Sequence, residues 1–474
     1  MLFSSLEFLF FFLPLVLAGV VLLKPQFINY FLLLASLFFY AWGEPDFVIA
    51  LVVVVVVDYL LAYVIAWRQS MGKTGKTWLI FAIITNISLL FWYKYLNFFT
   101  RTLGKIFGEG IPTTSIALPI GISFFIFQAL SYVIDVYRKE CGVQKNPFYV
   151  CLYVSLFPQL IAGPIVRYTT IAEEIAVRTT KTEDYALGIK RFIAGLSKKV
   201  ILANSFAVVA DKAFSSAVAG TLSLAFSWLG IIAYSFQIFF DFSGYSDMAI
   251  GLGRMFGFHF LENFNYPYSA KSISEFWRRW HISLSTWFRD YVYFPLGGSR
   301  VKNKKRLICN LLIVWGLTGL WHGANWTFIF WGFFYFLLIT FEKLTRLPQR
   351  FSHHFSTELY RLFTLFCVIF GWVLFRAEDI WVAKAYIKCL LGISGNPVLD
   401  DVFLFHFNEI FVLLLFAFLL SVPFFPWFHE QLERFPMIKR FFPYAINVVY
   451  LFLFILSVSF LVVGGHNPFI YFNF

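Results

Sequence analysis

A histidine lies inside an apolar run of this chain, within the motif that extends from Gly316 to Trp326 and reads GLTGLWHGANW. Ionisable side chains are costly in such a run and usually mark a functional site. Imidazole has an ordinary pKa of about 6.5 and can take a proton from a hydroxyl group at neutral pH. The motif therefore predicts that His322 acts as a general base. The alternative is a structural histidine at a tight helix crossing.

The residues around His322 predict a narrow, aromatic-walled site. Helical spacing places four residues on one face, namely Trp315, Gly319, His322 and Trp326. Three glycines would let a neighbouring helix approach closely: Gly316, Gly319 and Gly323. Asn325 lies one turn beyond His322 and could orient a neighbouring group. We expect a substrate tunnel lined by Trp315, Gly319, Asn325 and Trp326.

A second histidine, His281, lies in the segment from Phe276 to Arg289. Ser272 and Glu275 fit a capping box that opens a helix. The run that follows has a helical period, and its aromatic face would carry Trp277, His281, Leu284 and Phe288. We expect one amphipathic helix, too polar to span a membrane, and its alternative role is an anchor in the interface. Because His281 would point with the tryptophans, we predict that His281 and Trp277 belong to the site.

Two carboxylates lie in apolar surroundings between Phe239 and Met248, and both are candidates for the tunnel wall. Asp241 is the first. Asp247 is the second, and its seven-residue spacing from Arg254 predicts either a structural ion pair on one helix face or part of a cavity wall. The segment from Ser155 to Arg167 is interrupted by prolines. Broken backbone at membrane depth is tolerated only under protein or beside a water-filled cavity, so we expect a cavity near it.

The composition predicts an all-α polytopic membrane protein. Of 474 residues, 60% are hydrophobic and only 14% are charged, whereas a soluble protein has about 45–50% apolar and about 25% charged residues. Apolar runs near the required length predict about 11–13 transmembrane or re-entrant helices. We expect one domain over 1–474, with N-terminal helices in 1–112, a core holding both histidines in 113–345, and C-terminal helices in 346–474.

The net charge of +12 is typical of the positive-inside bias of a membrane protein, and the short basic loops argue against nucleic-acid binding. A basic segment from Arg300 to Arg306 would lie at cytoplasmic headgroups or attract an anionic CoA nucleotide. The five cysteines show no metal-ligand spacing, so no metal site is expected. Without a G-x-S-x-G, HExxH or P-loop motif, the chemistry would be direct acyl transfer or proton-coupled transport.

Several motifs together resemble the membrane-bound O-acyltransferases, in particular the bacterial alginate O-acetyltransferase membrane-subunit branch. The similar segments are 118–132, 135–138, 157–165, 241–247, 276–298, 319–326 and the ending 468–474. The resemblance implies a ring of helices around a funnel or tunnel. In it, His322 matches the family's catalytic histidine and His281 its second polar residue.

The resemblance also implies the reaction. No bound cofactor is expected; a cytoplasmic thioester such as acetyl-CoA would donate an acetyl group. This group would cross the bacterial inner membrane to an extracytoplasmic polysaccharide, with help from a partner acetyltransferase. Two alternatives stay open: a D-alanyl transfer protein for teichoic acid with the same fold, and a transporter or flippase for a lipid-linked sugar. A transporter would be expected to show paired repeats, and none is found.

Overall fold

The computed structural model describes residues 1–108, 113–350, 354–464 and 469–470. Every regular element in these ranges is a helix. The α-helices are α1 (Leu13–Leu22), α2 (Pro25–Gly43), α3 (Val48–Ser70), α4 (Lys76–Leu90), α5 (Leu96–Phe107), α6 (Ile122–Arg138), α7 (Pro147–Ser155), α8 (Phe157–Leu160), α9 (Tyr168–Ala176), α10 (Thr182–Ser197), α11 (Asn204–Val218), α12 (Leu224–Met255), α13 (Ile273–Arg279), α14 (Ile282–Phe288), α15 (Lys304–His322), α16 (Trp326–Thr345), α17 (Leu347–Arg350), α18 (His354–Arg376), α19 (Ile380–Leu390), α20 (Asp401–Ser421), α21 (Phe424–Leu432) and α22 (Pro436–Val462).

Six short segments complete the regular structure of these ranges. Four are π-helical: Phe8–Phe12, Phe91–Tyr95, Lys198–Ala203 and Arg289–Tyr293. Two are 3₁₀ turns: Pro45–Phe47 and Pro267–Ser269. Of the similar C-terminal ending 468–474, only Phe469 and Ile470 fall within the described residues.

Nine helices in the described part of the chain are long and apolar enough to cross a membrane. Their existence confirms the predicted all-helical, multi-pass fold. Pieces such as α7, α8, α13 and α14 have nine residues or fewer. A span needs about 20 residues, so these pieces cannot cross a bilayer. The predicted break after Ser155 is present, because α7 ends there and α8 covers only Phe157–Leu160.

Packing divides the chain into two compact units, of which the first comprises Met1–Phe192 and Tyr245–Leu261. Within it, α6 packs against α3 and α4, and α2 packs against α7. Asp58 lies in the middle of α3, where it accepts a hydrogen bond from the buried Asn86 amide at 2.8 Å. The prediction of a single domain over 1–474 stays a prediction.

The ion pair expected between Asp247 and Arg254 does not form, although both residues are paired. Asp247 accepts a hydrogen bond from the Arg191 guanidinium, with N···O of 2.6 Å, and Arg254 donates to Asp184 at 3.2 Å. Both partners belong to α10, which packs close to the end of α12. A Cβ at Gly251 would lie 2.6 Å from the carbonyl oxygen of Gly188, so the two backbones meet there. This approach brings α10 partners within reach of Asp247 and Arg254.

The second unit comprises Ile193–Gly244 and Glu262–Phe474. In it α16 packs against α15, α13 and α18, and α19 packs against α11 and α18. The crossing of α15 and α16 depends on two glycines. A Cβ at Gly332 would lie 2.5 Å from the Trp315 carbonyl oxygen and 3.2 Å from the Gly319 Cα. The predicted close approach at Gly319 is therefore confirmed, whereas a Cβ at Gly316 would meet no described atom within 4 Å.

Candidate active site

His281 lies in a break between two short helices of the second unit. The helix α13 ends at Arg279 and α14 begins at Ile282. The His281 backbone has φ 44° and ψ 56°, the left-handed region that non-glycine residues rarely adopt. Such strain costs about 1–3 kcal/mol and clusters at functional sites. The prediction of one continuous amphipathic helix is wrong, and so is the single face shared by Trp277, His281 and Leu284.

The break arises because the backbone pairs with the loop that precedes α13 instead of continuing the helix. The Ile282 N–H donates to the Asn263 carbonyl oxygen at 2.9 Å, and the Asn265 N–H donates to the Arg279 carbonyl oxygen at 2.9 Å. These bonds replace helical ones at the junction. Periodicity in the sequence could not reveal this partner, which lies in another loop.

The His281 ring is buried and tightly packed. Its side chain lies edge to face against Phe242, with centroids 4.6 Å apart, and 5.9 Å from Trp321. His281 is 2% exposed and lies outside the candidate spans. Burial penalises the charged imidazolium and lowers the pKa of His281 to about 3. The ring is therefore neutral at physiological pH.

The helix α13 is anchored at its beginning by Glu342 from α16. Its carboxylate accepts hydrogen bonds from the backbone N–H groups of Ile273 and Ser274, both at 2.8 Å, and from the Tyr360 hydroxyl at 2.8 Å. Glu342 is 4% exposed. A carboxylate at a helix N-terminus satisfies N–H groups that have no partner within the helix. Glu342 was not predicted from the sequence, in which its only signal is a lone carboxylate at the end of an apolar run.

The predicted capping box is present in part. The Ser272 hydroxyl accepts a hydrogen bond from the Glu275 N–H at 3.1 Å, as expected. The Glu275 carboxylate, however, accepts from the Lys271 N–H at 3.0 Å. It also accepts from the guanidinium of Arg279, four residues further along the helix, at 2.6 Å. Together these contacts hold both ends of α13.

An aromatic cluster fills the space between α13, α15 and α16. The Trp277 ring lies 5.1 Å from Trp315, 5.3 Å from Trp331 and 4.8 Å from Tyr335. The structure thus brings together Trp277 and Trp315, two residues predicted for the site. Trp331 and Tyr335 were missed, because an aromatic-rich apolar helix such as α16 carries no signal that separates cluster residues from lipid-facing ones.

His322 is the last residue of α15 and points into the same cluster. It is 3% exposed, and its ring centroid lies 5.0 Å from those of Trp331 and Phe375. It also lies 4.9 Å from Trp321, which in turn contacts His281. Both histidine rings therefore touch one indole, although their positions in the sequence are far apart.

The single helical face predicted for Trp315, Gly319, His322 and Trp326 is wrong at its end. Gly323 is extended, with φ −177° and ψ 155°, so α15 stops at His322. Asn325 then caps the next helix, because its side-chain oxygen accepts from the Thr327 N–H at 3.3 Å while its Nδ2 donates to the Glu378 carbonyl oxygen at 2.7 Å. Trp326 begins α16 and is 47% exposed. A role for Asn325, Gly319 or Trp326 in the tunnel stays a prediction.

Three buried polar atoms of the cluster lack a hydrogen-bond partner among the described residues: Trp277 Nε1, Trp331 Nε1 and the Tyr335 hydroxyl oxygen. A buried donor left without a partner costs about 1–3 kcal/mol. Three such groups in one set of touching rings beside His322 could donate to an oxygen atom of a bound substrate. The arrangement combines a histidine with hydrogen-bond donors, as acyl transfer requires.

Asp241 lies in a buried ion pair in the second unit. Its carboxylate is 2.9 Å from Lys199 Nζ, and the two side chains are 1% and 3% exposed. The Ile470 N–H donates to the same carboxylate at 2.9 Å. These contacts give Asp241 a structural explanation, and its predicted place in the tunnel wall, like that of Asp247, stays a prediction. Among the described residues, no group of three His, Cys, Asp or Glu could hold a metal ion.

Comparison with known proteins identifies the family. Residues 142–380, which include both histidines, match the model of the MBOAT, membrane-bound O-acyltransferase family. The chain is 42% identical, over 85% of its own length and 80% of the relative's, to a protein of Azotobacter vinelandii named "Probable alginate O-acetylase AlgI". The chain belongs to this family. It is a multi-pass membrane protein and an acyltransferase.

Two further members have other acceptors in their names. The chain is 36% identical to the "Peptidoglycan O-acetyltransferase" of Helicobacter pylori, over 83% of this chain and 80% of the relative. It is 31% identical to the "Teichoic acid D-alanyltransferase" of Bacillus subtilis, over 55% of this chain and 69% of the relative. The family therefore includes enzymes named for different acyl groups and polymers.

Proposed function

We propose that this acyltransferase lies in the bacterial inner membrane and passes an acetyl group from a cytoplasmic thioester, acetyl-CoA, towards an extracytoplasmic polysaccharide such as alginate. The names of the two relatives that align over four fifths of their own length support an acetyl group and a polysaccharide acceptor. The observation that carries the proposal is the pair of buried histidines that contact one indole beside three hydrogen-bond donors.

His322 acts as the general base in this proposal. It takes the proton of an attacking hydroxyl group, from the polymer or from a partner acetyltransferase, as the hydroxyl oxygen bonds to the acyl carbon. The carbon–sulfur bond breaks, and the thiolate leaves with the electron pair of that bond. The imidazolium of His322 then returns the proton to the sulfur. The products are an O-acetyl ester and a free thiol, and the histidine is regenerated.

The three donors stabilise the negative charge that develops on the carbonyl oxygen. Trp277 Nε1, Trp331 Nε1 and the Tyr335 hydroxyl belong to rings in mutual contact, and Trp331 also contacts His322. Donors placed in a dry site need no reorganisation during the reaction, so each contributes more than it would in water. His281 would either position the acyl donor or polarise its carbonyl group.

A basic segment suits the nucleotide part of the donor. Five exposed cations lie before and at the start of α15: Arg300, Lys302, Lys304, Lys305 and Arg306. Exposed Lys and Arg attract phosphate groups, and the same charges attract anionic lipid headgroups. Charge reversal at Lys302 and Lys304 should raise the KM for acetyl-CoA and leave the KM for a short acyl thioester without a nucleotide unchanged.

Teichoic acid D-alanylation is the second candidate, supported by the 31% identity to the Bacillus enzyme. Labelled acetate and labelled D-alanine separate the two in a deletion strain that carries either this chain or its His322→Ala variant. We expect acetate in an exopolysaccharide, lost with His322→Ala and kept with His429→Ala, a control at an exposed histidine. Label from D-alanine instead, or full acetylation by a membrane-inserted His322→Ala variant, would contradict the proposal.

A further inference from the structure

The loop before α13 presents the Asn263 amide to the His281 ring. On the basis of the function proposed above, we propose that Asn263 is a positioning residue that holds His281 as the Nδ1–H tautomer, so that Nε2 is the acceptor of the ring. Nδ1 lies 3.2 Å from the side-chain oxygen of Asn263. Both residues are buried: His281 is 2% exposed and Asn263 is 1% exposed.

The neighbouring serine establishes which amide atom faces the ring. The Ser283 backbone N–H donates to Asn263 Oδ1 at 3.1 Å. A backbone N–H can only donate, so the atom that receives it must be the amide oxygen. An amide oxygen can only accept, and therefore the ring nitrogen opposite it must carry a proton. A bare Nδ1 would place two lone pairs 3.2 Å apart in a buried site.

The Ser283 hydroxyl does not change this assignment. Its oxygen lies 2.9 Å from Asn263 Oδ1 and 3.4 Å from His281 Nδ1. Donation to Oδ1, the shorter contact, leaves the hydroxyl lone pairs available to the ring N–H. Donation to Nδ1 would leave the repulsion between Nδ1 and Oδ1 in place. Asn263, and not Ser283, therefore decides the tautomer.

The ring cannot easily turn to exchange its nitrogens. Phe242 packs edge to face against it, and Trp321 lies beside it. The backbone next to His281 is also held in place, since the Ile282 N–H donates to the Asn263 carbonyl oxygen. One residue thus fixes both the strained turn at His281 and the protonation pattern of its ring.

The tautomer decides between the two roles left open for His281. With the proton on Nδ1 and the ring neutral, Nε2 accepts a hydrogen bond and cannot donate one. His281 therefore does not polarise the thioester carbonyl. It instead accepts a hydrogen bond from an O–H or N–H group of a substrate and orients that group for the reaction at His322.

Nitrogen NMR of the full-length protein, labelled with ¹⁵N at its histidines and reconstituted in nanodiscs, tests the tautomer directly. His281→Gln identifies the His281 signals by their loss. We expect a protonated Nδ1 in the native chain and in the control Ser283→Ala. Asn263→Ala should lose this preference, and Asn263→Asp, whose carboxylate also accepts, should restore it. A native ring protonated on Nε2, or an unchanged tautomer in Asn263→Ala, would overturn the proposal.

Acetyl-transfer kinetics on the same variants separate this proposal from the function beneath it. We expect Asn263→Ala to lose at least tenfold in kcat/KM and Asn263→Asp to recover part of that loss. The KM that rises, for the thioester or for the acceptor, identifies which substrate carries the O–H or N–H group. A changed tautomer with an unchanged rate would contradict the part given to His281 in the proposed function, while the assignment to Asn263 would stand.

Discussion

The ring of Trp331 lies edge to face against the ring of His322, with centroids 5.0 Å apart and planes at 81°. The same indole is 5.3 Å from Trp277, which precedes His281 by one turn of chain. One aromatic cluster thus contacts His322 directly. It is connected to His281 through Trp277, which lies in α13 just before that histidine. Substitutions that remove a polar atom from the cluster should lower the catalytic rate alone, whereas substitutions that disturb the packing of the surrounding helices should also lower stability.

Tyr335→Phe should reduce acyl transfer without reducing stability. The substitution removes only the hydroxyl, which has no hydrogen-bond partner among the described residues. Loss of one oxyanion donor lowers kcat by about 100-fold to 1,000-fold. Because three donors would share the charge here, the loss of one should lower kcat at least about tenfold. The measurement is kcat beside thermal unfolding in detergent. Tyr234→Phe is the control, as its buried hydroxyl also has no partner in the described ranges; equal effects of both changes would contradict the assignment.

Glu342→Ala should destabilise the protein and disorder the site together. It removes the acceptor of two backbone N–H groups at the start of α13 and of the Tyr360 hydroxyl. Buried donors left without a partner should cost about 1–3 kcal/mol in the free energy of unfolding. The control is Glu358→Ala, which breaks a partly exposed pair with Arg361 and should cost at most about 1 kcal/mol. Comparable losses in both variants would refute the anchoring role.

Two glycine-to-alanine substitutions on neighbouring helices should have different effects on stability. A methyl group at Gly332 would lie 2.5 Å from the Trp315 carbonyl oxygen, so Gly332→Ala should force α15 and α16 apart and lower both melting temperature and activity. Gly316→Ala meets nothing described within 4 Å. It should be neutral or stabilise α15 by up to about 1 kcal/mol, since alanine favours helix. A tolerated Gly332→Ala would show that the crossing is looser than the distances indicate.

Stability should fall in acid because of His281. Its pKa is lowered to about 3 in the folded protein, compared with about 6.5 in an unfolded chain. Between these values the unfolded chain binds more protons, so the contribution is fully present above about pH 6.5 and is lost as the pH falls towards 3. Melting temperatures from pH 7 to 4 should decline less steeply in His281→Gln than in the native chain. Parallel declines would contradict the burial effect.

Composition and apolar runs were enough for the fold class, because membrane spans are encoded locally in the length of a run. The burial of the two histidines was also predicted from the sequence, since each is a costly residue in apolar surroundings. Glu342, Asn263 and Arg191 were not, because what each does depends on a partner more than 15 residues away. The left-handed turn at His281 was missed for the same reason: its cause is a hydrogen bond to another loop.

Two predictions from helical spacing were wrong, and both concern residues towards the end of a helix. Periodicity extended α15 to Trp326, but Gly323 and the cap at Asn325 stop one helix and begin another. The seven-residue spacing predicted a pair between Asp247 and Arg254, but each forms a salt bridge with a residue of α10 instead. A helical pattern reports which residues share a face and cannot report which neighbouring helix supplies their partners.

The most direct test is acetyl transfer by purified His322→Ala, measured as free thiol released from acetyl-CoA in the presence of a polysaccharide acceptor. The account predicts a fall of about 100-fold to 10,000-fold in kcat, the usual contribution of a general base, with the melting temperature and the retention of acetyl-CoA unchanged. A correctly folded His322→Ala protein that transfers acetyl groups within a few-fold of the native rate would contradict it.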